Sequence, residues 1–266
     1  MLHLHPLSGA TRVHFIVGDP IAQVKSPAGV SQMLIERGLN AYVMPAHVVP
    51  ADLTDWVRGV SLARNVDSII VTVPHKFACF GLCATSTPQA NFLGAVNVMR
   101  RNPNGSWHGD MCDGTAYVAG LRAQKCDPDG RRAFVVGAGG AGSAIAHALV
   151  LAGVANLAIH DADPARRDAL IARLSSLGRA QVVPFNGHLQ DFEIAINATP
   201  CGMLPGDALP FDPDHLTRDC FVGCVITAPA VPPLIEAARR RGCPTMTGTE
   251  MFAQVRSRLV DFLLGA

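Results

Sequence analysis

The chain has 266 residues, 49% apolar and only 16% charged, with a net charge of +1. That is enough apolar material for one large or two ordinary cores and too much for intrinsic disorder. The charge offers no electrostatic footprint for nucleic acid or an anionic membrane. No apolar run approaches the roughly 20 residues of a bilayer span, and the start "MLHLHPLSGATRVHF" lacks the pattern of a secretory leader. A cytoplasmic protein acting on a small molecule, with no nucleic-acid or membrane partner, is expected.

In chain order, "VHFIVGDP" reads as a strand ended by Gly-Asp-Pro. "PAGVSQMLIERGL" has helical periodicity, with Pro27 in its first turn and Gly38 at its stop. "AYVMPAHV" reads as a strand, "LTDWVRGVSLAR" as a helix and "DSIIVTV" as a buried strand. This alternation predicts a parallel or mixed sheet covered by helices. "AVNVMRRNPNGSWHGDM" places an Asn-Gly turn between two extended runs, the mark of a β-hairpin.

After the polar stretch "LRAQKCDPDGRR", "AFVVGAGGAGSAIAHALVLAG" reads as the first strand, turn and helix of a second α/β unit. Strands at "NLAIHD", "FEIAINATP" and "CFVGCVIT" and a closing amphipathic helix, "GTEMFAQVRSRLVDFLLGA", follow. The eight cysteines include no CxxC pair, and the histidines show no HExxH spacing, so reduced thiols and no metal site are expected.

Two stretches carry chemistry. In "VVGAGGAG", Gly137, Ala138, Gly139, Gly140 and Ala141 lie between a strand and a helix. Glycines there let backbone amides approach a pyrophosphate at the helix N-terminus. Asp161, one β-α-β step on, can accept hydrogen bonds from ribose hydroxyls and would repel a 2′-phosphate. Asp163 adds to that charge and no arginine intervenes before Arg166, so NAD is expected in preference to NADP. The second stretch is "VTVPHK". The chain has only three lysines, Lys25, Lys76 and Lys125, and Lys76 follows a strand and a proline. By itself that fits a surface lysine as well as a titratable amine in a site.

The motifs in order resemble the shikimate and quinate dehydrogenase family. "VTVPHK" is similar to its catalytic-lysine motif, "GAVNV" to its GAVNT segment and "GDMCDG" to its GxNTDG segment. "GAGGAG" is similar to its dinucleotide turn and "INATPCGM" to its nicotinamide-side loop, and the likeness runs from about Gly18 to Met251. The resemblance implies a substrate-binding catalytic domain over 1–112, a Rossmann-type domain over 113–246 and a helix, 247–266, packing back on the first. It implies Lys76 and Asp113 as the catalytic pair. Ser26, Thr72, Asn97 and Gln254 would accompany them at the substrate. Thr199, Pro200, Met203, Val225, Gly248 and Met251 would join the glycine turn at the cofactor. Monomer and homodimer both fit.

Several positions depart from the family's pattern. Val24 replaces a serine, Ile70 an asparagine, Thr227 a tyrosine and Cys224 an aspartate, while Gln254 stands one residue before the usual glutamine position. Lost hydrogen bonds to a charged substrate cost about 1.5–3 kcal/mol each. These changes point to a divergent member that oxidises a cyclic hydroxy acid or a less polar relative. Shikimate or quinate dehydrogenation itself is the first alternative. A binding protein without turnover and a methylene-tetrahydrofolate dehydrogenase-like enzyme are the others, and intact Lys76, Asp113 and Asn97 speak against the former.

Overall fold

A computed structural model describes residues 7–265. The chain divides into two compact units, one running up to Cys112 and resuming at Val255, the other spanning Asp113–Gln254.

In the first unit the elements are β1 (Arg12–Gly18), α1 (Ser26–Glu36), β2 (Ala41–His47), α2 (Leu53–Ser61), β3 (Val66–Val71), α3 (Lys76–Phe80), β4 (Thr85–Ser86), α4 (Pro88–Leu93), β5 (Val98–Arg101) and β6 (Trp107–Asp110). Six strands form one sheet in the order β2-β1-β3-β5-β6-β4. β1 lies parallel to both β2 and β3, while β5 runs antiparallel to β3 and returns through the Asn-Gly turn as β6. Ile16, Val17, Ile69, Ile70 and Val71 are buried, as expected for strands covered on both faces. Arg37 caps the end of α1, and Gly38 follows with a positive φ of 77°, a conformation glycine adopts at no steric cost. Ser31 on its inner face accepts a hydrogen bond from the Val43 amide at 2.9 Å, fastening helix to sheet.

The second predicted helix stops three residues early, at Ser61. The Arg101 guanidinium takes the carbonyls of Val60, Ser61 and Ala63 at 2.9–3.2 Å, a tertiary cap that satisfies the open end. The short helices α3 and α4 and the strand β4 carry too few residues to show periodicity. α4 is nonetheless capped, its Ala90 amide donating to the Thr87 hydroxyl.

The second unit begins with α5 (Asp113–Ala123) and continues through β7 (Arg132–Val136), α6 (Gly140–Leu151), β8 (Asn156–His160), α7 (Pro164–Ser175), β9 (Gln181–Pro184), β10 (Ile194–Asn197), β11 (Phe221–Cys224), α8 (Pro233–Arg241) and β12 (Thr245–Met246). Its sheet is wholly parallel, in the order β12-β11-β10-β7-β8-β9. Phe134 anchors one face, its ring centroid 4.2 Å from that of Phe185 and 5.6 Å from those of Phe192 and Phe211. The chain leaves β7 toward β8 on one side and later returns to β10 on the other. The direction of winding therefore reverses between β7 and β10, the place where open α/β sheets bind ligands.

α9 (Gly248–Leu264) belongs to the second unit as far as Gln254 and to the first from Val255 on. Within the first unit Leu259 and Val260 are fully buried, Asp261 pairs with Arg37 at 2.7 Å, and the Arg100 guanidinium lies 5.1 Å from the Phe262 ring centroid. The exposed ion pair contributes at most about 1 kcal/mol. Each buried aliphatic side chain contributes about 1.5–3 kcal/mol, so apolar packing holds this end of the helix. Among the described residues no helix is long and apolar enough to cross a membrane.

Candidate active site

In the first unit the chemistry gathers at the carboxyl ends of β1 and β3. Val17 and Val71 lie side by side near the carboxyl ends of β1 and β3, and Val98 opens β5 opposite Ile70. Thr72, just beyond β3, and Asn97, just before β5, are thereby neighbours: the Val71 amide donates to the Asn97 carbonyl at 2.7 Å. Lys76, half-buried at the start of α3, accepts the Val96 amide on its carbonyl at 3.0 Å, one residue from Asn97. Ser26 is buried at the start of α1, which the chain reaches from the same end of β1.

Asn97 is buried, and its Oδ1 accepts the Cys112 amide at 3.0 Å. Asp113 follows by one peptide bond. Covalent geometry alone therefore keeps its Cα about 3.8 Å from that of the residue Asn97 grips. The neighbouring His75 is also buried, but its Nε2 meets the Val48 carbonyl at 2.7 Å. That bond takes the Nε2 proton and fixes the orientation of the ring. Ile70 packs in the sheet core, Val24 is half-buried and Lys25 is exposed.

In the second unit the glycine turn joins β7 to α6. Ser143 N bonds Gly139 O at 2.8 Å, so the amides of Gly140, Ala141 and Gly142 precede the helical ladder and emerge at the helix end. A Cβ on Gly142 would lie 1.8 Å from the Gly137 carbonyl oxygen, and one on Gly137 would lie 2.9 Å from the Ala198 carbonyl oxygen. A Cβ on Gly139 would meet nothing within 4 Å. The turn is closed toward the protein and open outward, which suits a pyrophosphate on the helix dipole.

Asp161, just past β8, is mostly buried and partly consumed. Its Oδ2 accepts the Ala138 amide at 2.6 Å, its Oδ1 accepts the Asp163 amide at 2.8 Å, and Arg166 lies 3.2 Å from Oδ1. A carboxylate has about four acceptor positions, so capacity for a ribose hydroxyl remains. The first arginine after the motif is thus tied back onto the aspartates, an arrangement invisible in its spacing.

Thr199, Pro200 and Met203 lie on the loop after β10, and Thr199 Cγ2 would touch a Cβ at Gly137 at 3.0 Å, so this loop lies on the glycine turn. Val225 follows β11, its amide donating to the Asn197 carbonyl at 3.1 Å. Gly248 is pressed against the Val225 and Ile226 carbonyls, and Met251 is buried one turn later. Gln254 lies over Gly120 of α5, whereas Val255 is buried. Two residues were missed. Asn197 and Asp207 organise the β10 loop from its two ends, and only "INATPCGM", read as a motif, hinted at the first.

The cysteines are free thiols. Burial pushes those of Cys79, Cys83 and Cys220 up to about 12, so they pack rather than react. Among the described residues no cluster of histidine, cysteine and carboxylate side chains could hold a metal ion.

Residues 16–99 match the profile of the shikimate dehydrogenase substrate binding domain. A shikimate dehydrogenase (NADP(+)) of Rubrobacter xylanophilus is 35% identical over 251 residues, covering 92% of this chain and 88% of its own. This chain belongs to the shikimate dehydrogenase family. A family relative, the quinate/shikimate dehydrogenase (NAD(+)) of Corynebacterium efficiens, is 34% identical over 250 residues, covering 89% of this chain and 87% of its own. Among solved structures, the ligand-free 5-ketofructose reductase of Gluconobacter superposes with a TM-score of 0.82 at 27% identity, covering 96% of this chain and 94% of that one. The two parallel-rich units are the family's two-domain fold, with the substrate-binding part N-terminal. As a family member the chain is an NAD(P)-dependent oxidoreductase acting on a CH–OH group.

Proposed function

We propose that the enzyme transfers a hydride between NAD and a secondary alcohol of a cyclic hydroxy acid or a less polar relative, with Lys76 and Asp113 relaying the hydroxyl proton. The observation that carries this reading is the convergence of Thr72, Lys76 and Asn97 at the carboxyl end of β3, with Asp113 bonded to the residue Asn97 holds. When bound, a nicotinamide dinucleotide supplies the hydride acceptor. In oxidation the carbinol carbon loses a hydride and its hydroxyl loses a proton, which the Lys76 side chain accepts and Asp113 helps pass to solvent. Thr72 and Asn97 orient the remaining hydroxyls, and Ser26 and Gln254 complete the substrate shell. The turn from Gly137 to Ala141 would hold the pyrophosphate and Asp161 the adenosine ribose. Thr199, Pro200, Met203, Val225, Gly248 and Met251 would lie on the nicotinamide side.

Preference for NAD is supported by charge. A 2′-phosphate would face Asp161 and Asp163, and the one nearby arginine, Arg166, is already paired with both. A changed substrate is supported by Val24, which has no side-chain donor where a serine is expected, and by Thr227, whose hydroxyl sits on a shorter side chain than the expected tyrosine's. Two lost bonds at about 1.5–3 kcal/mol each amount to roughly a hundredfold to ten-thousandfold in affinity. A structural neighbour named for a ketosugar agrees with that direction. The second reading, shikimate or quinate oxidation itself, is favoured by the names of the relatives at 34–35% identity.

The test is NAD and NADP reduction with shikimate, quinate and uncharged cyclic polyols offered in parallel. The proposed reading expects polyols to be oxidised faster than either acid, and efficient turnover of shikimate or quinate would decide for the second. Lys76→Ala should lower kcat by about 10²–10⁴ while calorimetric NAD affinity stays within about twofold, since Lys76 is not among the residues assigned to the cofactor. Turnover close to the parent's would sink the relay.

A further inference from the structure

The loop after β10 is built from two differently fastened halves. Asn197, fully buried at the end of β10, organises the first. Its Nδ2 donates to the Cys201 carbonyl at 3.1 Å, and its Oδ1 accepts the Thr199 amide at 2.9 Å and the Thr199 hydroxyl at 2.7 Å. The second half is fastened from outside. Asp207 is exposed, yet one of its oxygens, Oδ2, accepts both the Leu204 amide at 2.9 Å and the Gly202 amide at 3.0 Å. Those two donors flank Met203, whose own amide returns to the Pro200 carbonyl at 3.0 Å. The bonds from Leu204 and Gly202 hold the Asp207 carboxyl below the usual carboxylate range, so it is a standing acceptor at neutral pH.

This loop lies where the winding of the sheet reverses, and its Thr199 lies against Gly137 of the dinucleotide turn. A group that fixes the backbone on both sides of Met203 therefore sets how that side chain meets whatever binds there. We propose that Asp207 is a positioning residue for hydride transfer: its carboxylate clamps the Gly202–Leu204 backbone and so holds Met203 in register with the nicotinamide end of the cofactor. The role rests on the dinucleotide reading given above. Asp207 touches neither reacting atom and moves no proton. Its effect falls on geometry, to which transfer rates respond steeply, with about a hundredfold loss for an error near 1 Å.

The clamp uses a single oxygen, which separates an acceptor role from a charge role. Asp207→Asn can present its amide oxygen to both amides, whereas Asp207→Ala can present nothing. Asp207→Ala should lower kcat roughly ten- to hundredfold, with ADP-ribose affinity within about twofold of the parent, because the adenosine half is held at Gly137–Ala141 and Asp161. Asp207→Asn should restore most of kcat. Hydrogen exchange at the Gly202 and Leu204 amides should quicken in Asp207→Ala and remain near the parent's rate in Asp207→Asn. Unchanged exchange or unchanged kcat in the alanine variant would overturn the role. So would an asparagine variant as impaired as alanine, or a parallel loss of ADP-ribose affinity and thermal stability, the mark of general damage. Failure of the functional reading is distinct: the parent protein itself would then neither bind NAD nor reduce it.

Discussion

The glycine turn makes the sharpest prediction, because two glycines three residues apart face opposite surroundings. At Gly142 a methyl would stand 1.8 Å from a backbone carbonyl oxygen, 1.6 Å short of an ordinary 3.4 Å contact, and the obstacle cannot rotate away. Gly142→Ala must displace the turn or the start of α6. Overpacking of this kind costs about 1–3 kcal/mol, or roughly 2–10 °C in thermal midpoint, and dinucleotide affinity should fall with it. At Gly139 the surroundings are open, and its φ of −71° and ψ of −174° suit alanine. Gly139→Ala should therefore leave the melting temperature unchanged or slightly raised. Its methyl would occupy the outward face where a pyrophosphate must approach. Losing one charge-assisted bond of about 1.5–3 kcal/mol there weakens NAD about ten- to hundredfold. Calorimetric titration with NAD beside thermal unfolding reads both quantities. A Gly139→Ala variant that binds NAD like the parent would refute the placement of the pyrophosphate. A Gly142→Ala variant with the parent's stability would refute the close approach.

Two further expectations concern charge. Asp161→Asn keeps an acceptor for the Ala138 amide but removes the negative charge, so the ratio of kcat/KM for NAD over NADP should fall. An unchanged ratio would mean that the 2′-position is read elsewhere. Burial pushes the pKa of His14 down to about 4, with its Nδ1 2.6 Å from the Ser68 hydroxyl. The unfolded chain takes up this proton near pH 6.5 and the folded chain only near 4, so stability falls as pH drops through that window. The full loss is roughly 3 kcal/mol, about 2 of it by pH 5. Urea unfolding at pH 7.5 and 5 should show a smaller difference in His14→Gln, and an equal difference would remove His14 from the account.

Much of this enzyme was legible in its chain because the decisive signals are local. The Val-rich runs before Gly-Asp-Pro and before the glycine turn can bury only as strands. The spacing of Gly137, Gly139 and Gly142 follows from the geometry of one turn, and the Asn-Gly hairpin from the positive φ of 85° at Gly105. Lys76 became interpretable through its motif rather than its surroundings. What the tertiary structure alone decided are partnerships that no spacing in the sequence announces. Arg101 ends α2 forty residues upstream, and His75 beside Lys76 is spent on the Val48 carbonyl. Arg166, which the sequence marks only as the first arginine after the acidic pair, is folded back onto Asp161. Asp207, an exposed loop aspartate without periodicity or motif, grips the backbone on either side of Met203. Periodicity and turn chemistry record what a segment does with its immediate neighbours. Which acceptor a guanidinium finds, and which donors a carboxylate finds, is settled only when the sheet order and the folded loops fix where each backbone group lies, and no local pattern carries that information.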